Sequence, residues 1–407
     1  MKKIVTFISM SIVSIALMTS SAYATNGMRM IGFGPVQDSM GGVSVGVPLD
    51  AASILTNPAG MSFLPGRIDF GASYFKPSVS YTATGTAFSG AIMNNGAKMD
   101  SDRGASPVPA FGLIVPLTDK IKFGIGAYGV GGMGVDYKSN LYGGVTYTSY
   151  SQMRFAPGLS YKINDMISVG AVVNVMYATM EFNAASGFGQ QPHMDASSFG
   201  YGATFGVLVK PIDMIQIGLS YETKSYFQDF DFNTSSGVDK IEFDQPEIAT
   251  IGFGVKPTKD LLIGFDVEWI NWSETNGQNQ PKYTENSSGA LPWNLNWSDQ
   301  FVYKLGVQYT VNSMLILRAG YNYGKMPLDS GRAFENIAFP AVSEQHFTAG
   351  LGLNLTKKLT LNIGGMYSPT VKLTGSNAAY PPSGQAIANY DTEMSQYSID
   401  MGLAYTF

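Results

Sequence analysis

An all-β membrane fold, an outer-membrane β-barrel, is the class this sequence predicts, and three observations predict it. The chain opens with an export signal, no later segment is apolar enough to cross a membrane as a helix, and nearly every later segment alternates apolar with polar residues. The signal is MKKIVTFISMSIVSIALMTSSAYA: Lys2 and Lys3, an apolar run from Ile4 to Met18, and Ala22-Tyr23-Ala24 as a cleavage site before Thr25. Beyond Thr25 no uninterrupted apolar stretch reaches the roughly 18 residues that a membrane helix needs. Charged residues are only 14% of the chain, well below the roughly 25% of ordinary soluble domains. Aromatics are 13% and glycines number 47, a composition suited to tightly paired strands that face lipid. Cysteine is absent from this exported chain, so no disulfide framework holds it. Net charge is −5 with no basic tract, which argues against nucleic acid as a partner.

Alternation is sharpest at the end of the chain. Tyr397, Ile399, Met401, Leu403, Tyr405 and Phe407 share one phase, and Gln396, Ser398, Asp400, Gly402, Ala404 and Thr406 share the other. Leu261, Ile263, Phe265, Val267 and Trp269 oppose Gly264, Asp266 and Glu268, and Phe301 to Thr310 repeats the pattern. A basic side chain facing lipid at the bilayer midplane costs roughly 2–4 kcal/mol, so the polar series points into the lumen.

Fourteen antiparallel strands are predicted, at 68–81, 106–118, 120–136, 148–162, 166–183, 196–211, 213–229, 241–256, 260–273, 296–311, 313–324, 343–356, 359–373 and 393–407. Tight turns at 117–120, 162–166, 210–214, 256–260, 310–313 and 355–358 alternate with longer polar loops near 82–105, 137–147, 184–195, 230–240, 274–295, 325–342 and 374–392. Short turns on one side and long loops on the other are the periplasmic and extracellular ends of such a barrel.

Residues 25–64 do not alternate. They are glycine-rich and nearly uncharged, and a segment too apolar for a free tail is placed most simply inside the lumen as a plug, or hatch. The chain thus divides into a signal peptide (1–24), a hatch (25–64) and a barrel (65–407). Asp50 is a predicted N-cap for a short helix through Ile54, and Pro58 forces Asn57 out of helical geometry and ends it.

The stretch DSMGGVSVGVPLDAASILTNPAGMSFLPG resembles the hatch of the FadL-type outer-membrane transporters for long-chain fatty acids and other hydrophobic compounds. Asn57, Pro58, Ala59 and Gly60 carry its most specific piece. Val108-Pro109, Pro246-Glu247, Trp269 and Trp272, Arg318-Ala319-Gly320 with Pro327, Phe339-Pro340 and the terminal Phe407 extend the resemblance along the chain. It implies a monomeric fourteen-stranded barrel closed to bulk water, with no cofactor and no catalysis. Its partners would be a hydrophobic small molecule and outer-membrane lipid. It further implies passive uptake of an apolar ligand into an internal pocket, movement of the hatch's N-terminal end, and sideways exit at a kinked third strand. The matching residues are Gly129, Gly131, Gly132 and Gly134; four glycines in six residues weaken pairing and allow a bulge.

Sideways exit suits the energetics, because a long acyl chain gains on the order of 10 kcal/mol on leaving water at roughly 0.8 per methylene. Val172, Met176 and Met180 share the inward phase of the fifth strand and are candidate pocket residues, or ordinary packing against the hatch. A fatty acid also carries a carboxylate, and Arg154, Lys304 and Arg318 face inward, with His346 in the same class. The inward acids Glu222, Asp266, Glu268 and Asp400 are alternative partners for these cations.

Two features favour uncharged aromatic or alkane substrates instead. The loops at 184–195 and 230–240 look shorter than those building a capture groove in the enterobacterial fatty-acid transporter, and Met176 to Thr179 carries no basic residue. A lipase or protease would need His193 or His346, the only histidines, and no G-x-S-x-G motif precedes either. A general porin would lack the hatch. No metal-ligand cluster stands out.

Overall fold

The computed structural model describes residues 25–85, 96–137, 146–183, 194–234, 237–284, 291–292, 294–376 and 389–407. The predicted signal peptide, His193 and most of the 184–195 loop lie outside the described residues. Fourteen strands form the wall. They are β1 (Arg67–Thr84), β2 (Ser106–Pro116), β3 (Ile121–Tyr137), β4 (Thr146–Lys162), β5 (Ile167–Asn183), β6 (Met194–Ile212) and β7 (Ile215–Glu222). Then follow β8 (Ile248–Val255), β9 (Leu261–Ile270), β10 (Gln300–Thr310), β11 (Leu315–Gly324), β12 (Gln345–Asn354), β13 (Leu359–Ser376) and β14 (Asn389–Thr406). Each pairs antiparallel with its neighbours in sequence, and β14 returns to β1 through the register Arg67↔Thr406 to Thr84↔Asn389. The sheet has closed on itself, which removes the edge that an open sheet would expose.

Alternation becomes inside and outside. On β14, Ile399 and Met401 are each 56% exposed on the outer face, while Asp400 between them is fully buried. The same band of exposed Phe, Tyr, Leu and Ile continues across β1, β6, β10 and β12. A surface this apolar is stable only against hydrocarbon.

Most of the short turns share one device. Thr118, Asn164, Asn312 and Thr356 each accept backbone N–H groups two and three residues on, fixing the hairpin without long side chains. These define the turn end of the barrel; the opposite side is its loop end.

Two strands differ from the sequence expectation. The seventh ends at Glu222 rather than 229, and the eighth begins at Ile248 rather than 241. The intervening chain is no short polar loop. Phe230–Thr234 and Gly237–Glu242 form a hairpin that pairs on through Lys282–Thr284 to Leu291–Pro292. Its buried face is Phe230, Phe232 and Ile241, followed by Phe243. That face extended the alternating signal past the wall, because a small sheet lying over the loop end buries one face just as a wall strand does.

Residues 25–66 lie within the ring of strands, where nearly all are buried. Short helices at Pro35–Asp38 and Ser53–Thr56 are followed by a 3₁₀ turn at Pro58–Phe63. Asp50 is not the predicted cap. The helix begins after Ala52 without a side-chain cap, and Asp50 instead accepts from Gln37 Nε2 at 3.3 Å. Asn57 is extended ahead of Pro58, and its side chain caps the 3₁₀ turn by accepting from Ala59 N at 3.2 Å.

Candidate functional site

The lumen is arranged in three layers between the turn end and the loop end. The lowest holds the hatch against the wall. Asp266 of β9 accepts backbone N–H groups from Ser44 at 2.8 Å and Val45 at 3.0 Å through one oxygen, and Gly46 approaches the other at 3.5 Å. Asn57 Nδ2 donates to Val45 O at 2.8 Å and to Val207 O of β6 at 3.1 Å, and Ser168 of β5 donates to Ala59 O at 2.9 Å. The Asn57-Pro58-Ala59-Gly60 element is therefore a joint between the hatch and the wall. Contact is close enough to require glycine: a Cβ on Gly46 would stand 2.5 Å from the backbone of Gly252 and Phe253.

Arg318 belongs to this lower layer. It donates to Gln308 Oε1 at 2.8 Å and Asn362 Oδ1 at 3.0 Å. Val172 packs here too, with Ile54, Leu55 and Met61 of the hatch, so the structure separates it from Met176 and Met180. Asp50 shares the layer, and burial with the neighbouring Asp69 carboxylate pushes its carboxyl up to about 7, against the pull of Arg67 and Arg318. Burial and two neighbouring carboxylates also raise Asp38. A carboxyl whose proton is held more tightly in the docked state than in the released one stabilises docking most at low pH. That advantage is lost as pH rises from about 4 to about 7. Protection of hatch amides from exchange is accordingly expected to be greater at pH 5 than at pH 8, and Asp50→Asn should flatten the difference. An equal slope in the Asn variant would exclude Asp50 as its source.

The middle layer is charged. Arg154 of β4, fully buried, hydrogen-bonds Glu222 of β7, which also takes Arg29 of the hatch at 3.2 Å. Lys304 of β10 pairs with Glu268 of β9 at 3.0 Å. Arg154 and Lys304 thus have carboxylate partners already, as the inward acids allowed. Two of the guanidinium nitrogens of Arg154, Nε and Nη1, have no protein acceptor. A small cavity lies beside them, lined by Arg29, Gln152, Arg154, Glu222, Gln245 and Trp272. His346 is fully buried between Asn322 at 3.2 Å and Gln396 at 3.1 Å, away from the charged pairs.

The upper layer is apolar. Met176 and Met180 join Met133, Val135, Tyr150 and Phe230 with Phe232, Phe243, Trp272 and Phe339 in one cluster that reaches the cap sheet. Tyr150 meets Phe243 edge to face with centroids 5.1 Å apart. Met28, at the hatch tip, is a member of the same cluster.

At the glycines of β3 the wall is incomplete. Pairing of β2 with β3 runs from Pro116↔Lys122 only to Ala110↔Tyr128, so β3 above Tyr128 has no β2 partner. The register with β4 slips by one residue between Gly129 and Gly131, a bulge. The vacated edge is taken by the hatch. Met30 N donates to Val130 O at 3.1 Å, Gly132 N donates to Met28 O at 2.9 Å, and Arg29 bridges Gly131. A Cβ on Gly131 would stand 2.6 Å from Met28 O, so this approach also requires glycine. Gly134 continues the strand beyond the Gly132–Met28 bond.

Arg29 and the phenylalanines of the cap escaped the sequence reading as site residues, whereas Glu222 was placed inward as a partner for the cations. Arg29 left a signal, being the only cation among residues 25–66, where Asp38 and Asp50 are the only acids.

The arrangement has relatives. Outer membrane protein P1 of Haemophilus influenzae is 22% identical over 375 residues, covering 78% of this chain and 80% of that protein. A FadL homologue of Pseudomonas aeruginosa superposes with a TM-score of 0.77 at 16% identity, over 94% of this chain and 100% of that one. The toluene transporter TodX of Pseudomonas putida does so at 0.72 and 18%, over 93% and 99%. The model of the family described as "Outer membrane protein transport protein (OMPP1/FadL/TodX)" matches residues 19–407, and with that span and this barrel the chain belongs to that family of outer-membrane transport proteins.

Proposed function

We propose that the chain takes hydrophobic small molecules, foremost long-chain fatty acids, from outside the cell and releases them sideways into the outer membrane through the gap beside Gly129, Gly131, Gly132 and Gly134. The observation that carries this reading is the edge of β3 above Tyr128, abandoned by β2 and bonded instead to hatch residues 28–30. To open the gap the tip must give up two backbone hydrogen bonds, each worth about 1 kcal/mol net, and the buried Arg29–Glu222 ion pair, for which a ligand carboxylate would compete. The apolar cluster above, rich in Met and aromatics, would hold the hydrocarbon part, and Met176 and Met180 adapt to chains of different shape. The carboxylate would lie at Arg154, whose Nε and Nη1 are free of acceptors. Three cations (Arg29, Arg154, Lys304) are ion-paired with two acids (Glu222, Glu268) there, and Asp266 stands opposite Lys304 in the wall. Arg318, in the lower layer, would support the hatch rather than the ligand.

A second reading, uptake of uncharged aromatic or alkane compounds, is favoured by the carboxylate that already occupies Arg154. One experiment separates the two and tests the route. A Cβ on Gly129 would stand 2.6 Å from Val108 Cγ1, so Val108→Cys with Gly129→Cys can be bridged across the gap in a chain otherwise free of cysteine. Oxidised cells should lose uptake of labelled oleate and regain it on reduction. Persistent uptake in the bridged chain would refute the sideways route. Arg154→Gln should lower oleate uptake about tenfold, the worth of a charged hydrogen bond, and leave toluene unchanged. A loss confined to toluene would reverse the order of substrates.

A further inference from the structure

The upper limit of the gap is set by three residues that stand where β2 should continue. Ser101 N donates to Val79 O of β1 at 2.8 Å, and Lys76 Nζ of β1 donates to Arg103 O at 2.5 Å. On the other side, Asp102 N donates to Asp136 O of β3 at 2.8 Å, and Asp136 N donates to Ser101 Oγ at 2.9 Å. Residues 101–103 therefore bridge β1 to β3 above the gap, which leaves Gly129 to Val135 as its height.

Arg103 reaches further than β3. Its Nη2 donates to Ser149 Oγ of β4 at 2.7 Å, and its guanidinium lies 5.2 Å from the centre of the Tyr147 ring. Thr148, Tyr150, Gln152 and Arg154 face the lumen, so Ser149 and Tyr147 belong to the outer phase of β4. Ser149 stands opposite Gly134 and Tyr147 opposite Asp136. To reach them the side chain must cross the outer face of β3 at Gly134, where no side chain obstructs it. It is 7% exposed, and among the described residues no carboxylate lies within ion-pair distance of it. A buried arginine with a hydroxyl and a ring as partners is a fastening between strands rather than part of a charge pair.

We propose that Arg103 is a positioning residue that fixes the top of the lateral gap, and so limits the girth of the solute that can leave sideways. This rests on the sideways route argued above. With the bridge fastened to β4, displacement of hatch residues 28–30 opens only the stretch beside Gly129 to Val135, wide enough for a slim chain. With it unfastened, the top of β3 can swing from the bridge and the opening lengthens.

The test uses the full-length chain in whole cells, with labelled dodecane as the slim solute and labelled pyrene as the bulky one. Arg103→Gln should raise the pyrene-to-dodecane uptake ratio about five- to tenfold, the scale of one lost hydrogen bond and one lost cation–π contact. Arg103→Lys keeps a cation over Tyr147 and a donor for Ser149, and should return the ratio most of the way. An unchanged ratio in the Gln variant, or equal increases for both solutes, would overturn the inference. Steady ion conductance by that variant would overturn it too, since the residue would then hold the whole wall. The Val108–Gly129 cross-link distinguishes the underlying reading: continued uptake of dodecane through a bridged gap would remove the route itself, whatever Arg103 does.

Discussion

Deletion of residues 25–60 is expected to leave a barrel that assembles and conducts ions. Wall pairing from β1 round to β14 owes nothing to the hatch except at the edge of β3, so closure should survive. The lumen should not stay filled. Eight strands enclose a space that wall side chains fill, whereas about sixteen leave a water channel, and fourteen lie near the second case. Here the wall contributes many glycines inward, among them Gly170, Gly206, Gly218 and Gly252, each lying against hatch backbone or side chain. Without the hatch those positions face empty space that water would enter. Planar-bilayer recording gives the answer directly: intact protein near zero conductance, truncated protein with steady steps. A truncated barrel that keeps its heat-shifted mobility on a gel yet stays sealed would show that the segment is not a plug.

Asp266→Ala should release the hatch without removing it. The carboxylate takes two N–H groups at 2.8 and 3.0 Å and stands near a third, all buried. Loss of these charged hydrogen bonds, with donors left unsatisfied, is expected to cost about 3–5 kcal/mol of docking free energy. Intermittent conductance and protease cleavage near residues 43–47 should follow, both weaker in Asp266→Asn, which retains one acceptor oxygen. If the Ala variant is as silent and resistant as the parent, the staple carries little of the docking energy and the Asn57 joint carries the rest.

The wall was legible because its two environments are uniform. Lipid outside and a mixed lumen inside impose one period on Leu261–Ile270 and Asn389–Thr406 alike, and Thr or Asn at fixed places closes the short turns. Legibility failed where that period served another purpose. Phe230, Phe232 and Phe243 alternate because they cap the lumen, so the seventh strand was read seven residues too long. Partners were illegible for a different reason. Arg154 and Glu222 are 68 residues apart and meet only because four strands bring their inward phases to one height. Phase alone says that each faces inward; it does not say which neighbour it finds, and so Arg318 and Arg154 looked equivalent although they lie in different layers. Asp50 is not a cap because, within the buried hatch, its carboxylate is taken by Gln37.

The wall is taller on one flank than on the other. Strands β7 to β12 have 8 to 11 residues, whereas β1, β3 to β6, β13 and β14 have 17 to 19. At about 3.3 Å per residue and a tilt near 40°, the low flank rises about 25 Å, the thickness of the apolar band, and the high flank about 45 Å. Roughly 20 Å of wall therefore stands clear of the hydrocarbon, at the level of surface saccharides. The incomplete edge of β3 is on this flank, about 20–35 Å above the turn end by the same reckoning. A solute descending the sheltered shaft would be spared passage through the sugar layer and would meet lipid first at the outer boundary of the acyl chains. On the proposed sideways route, the strand lengths would set the altitude of delivery.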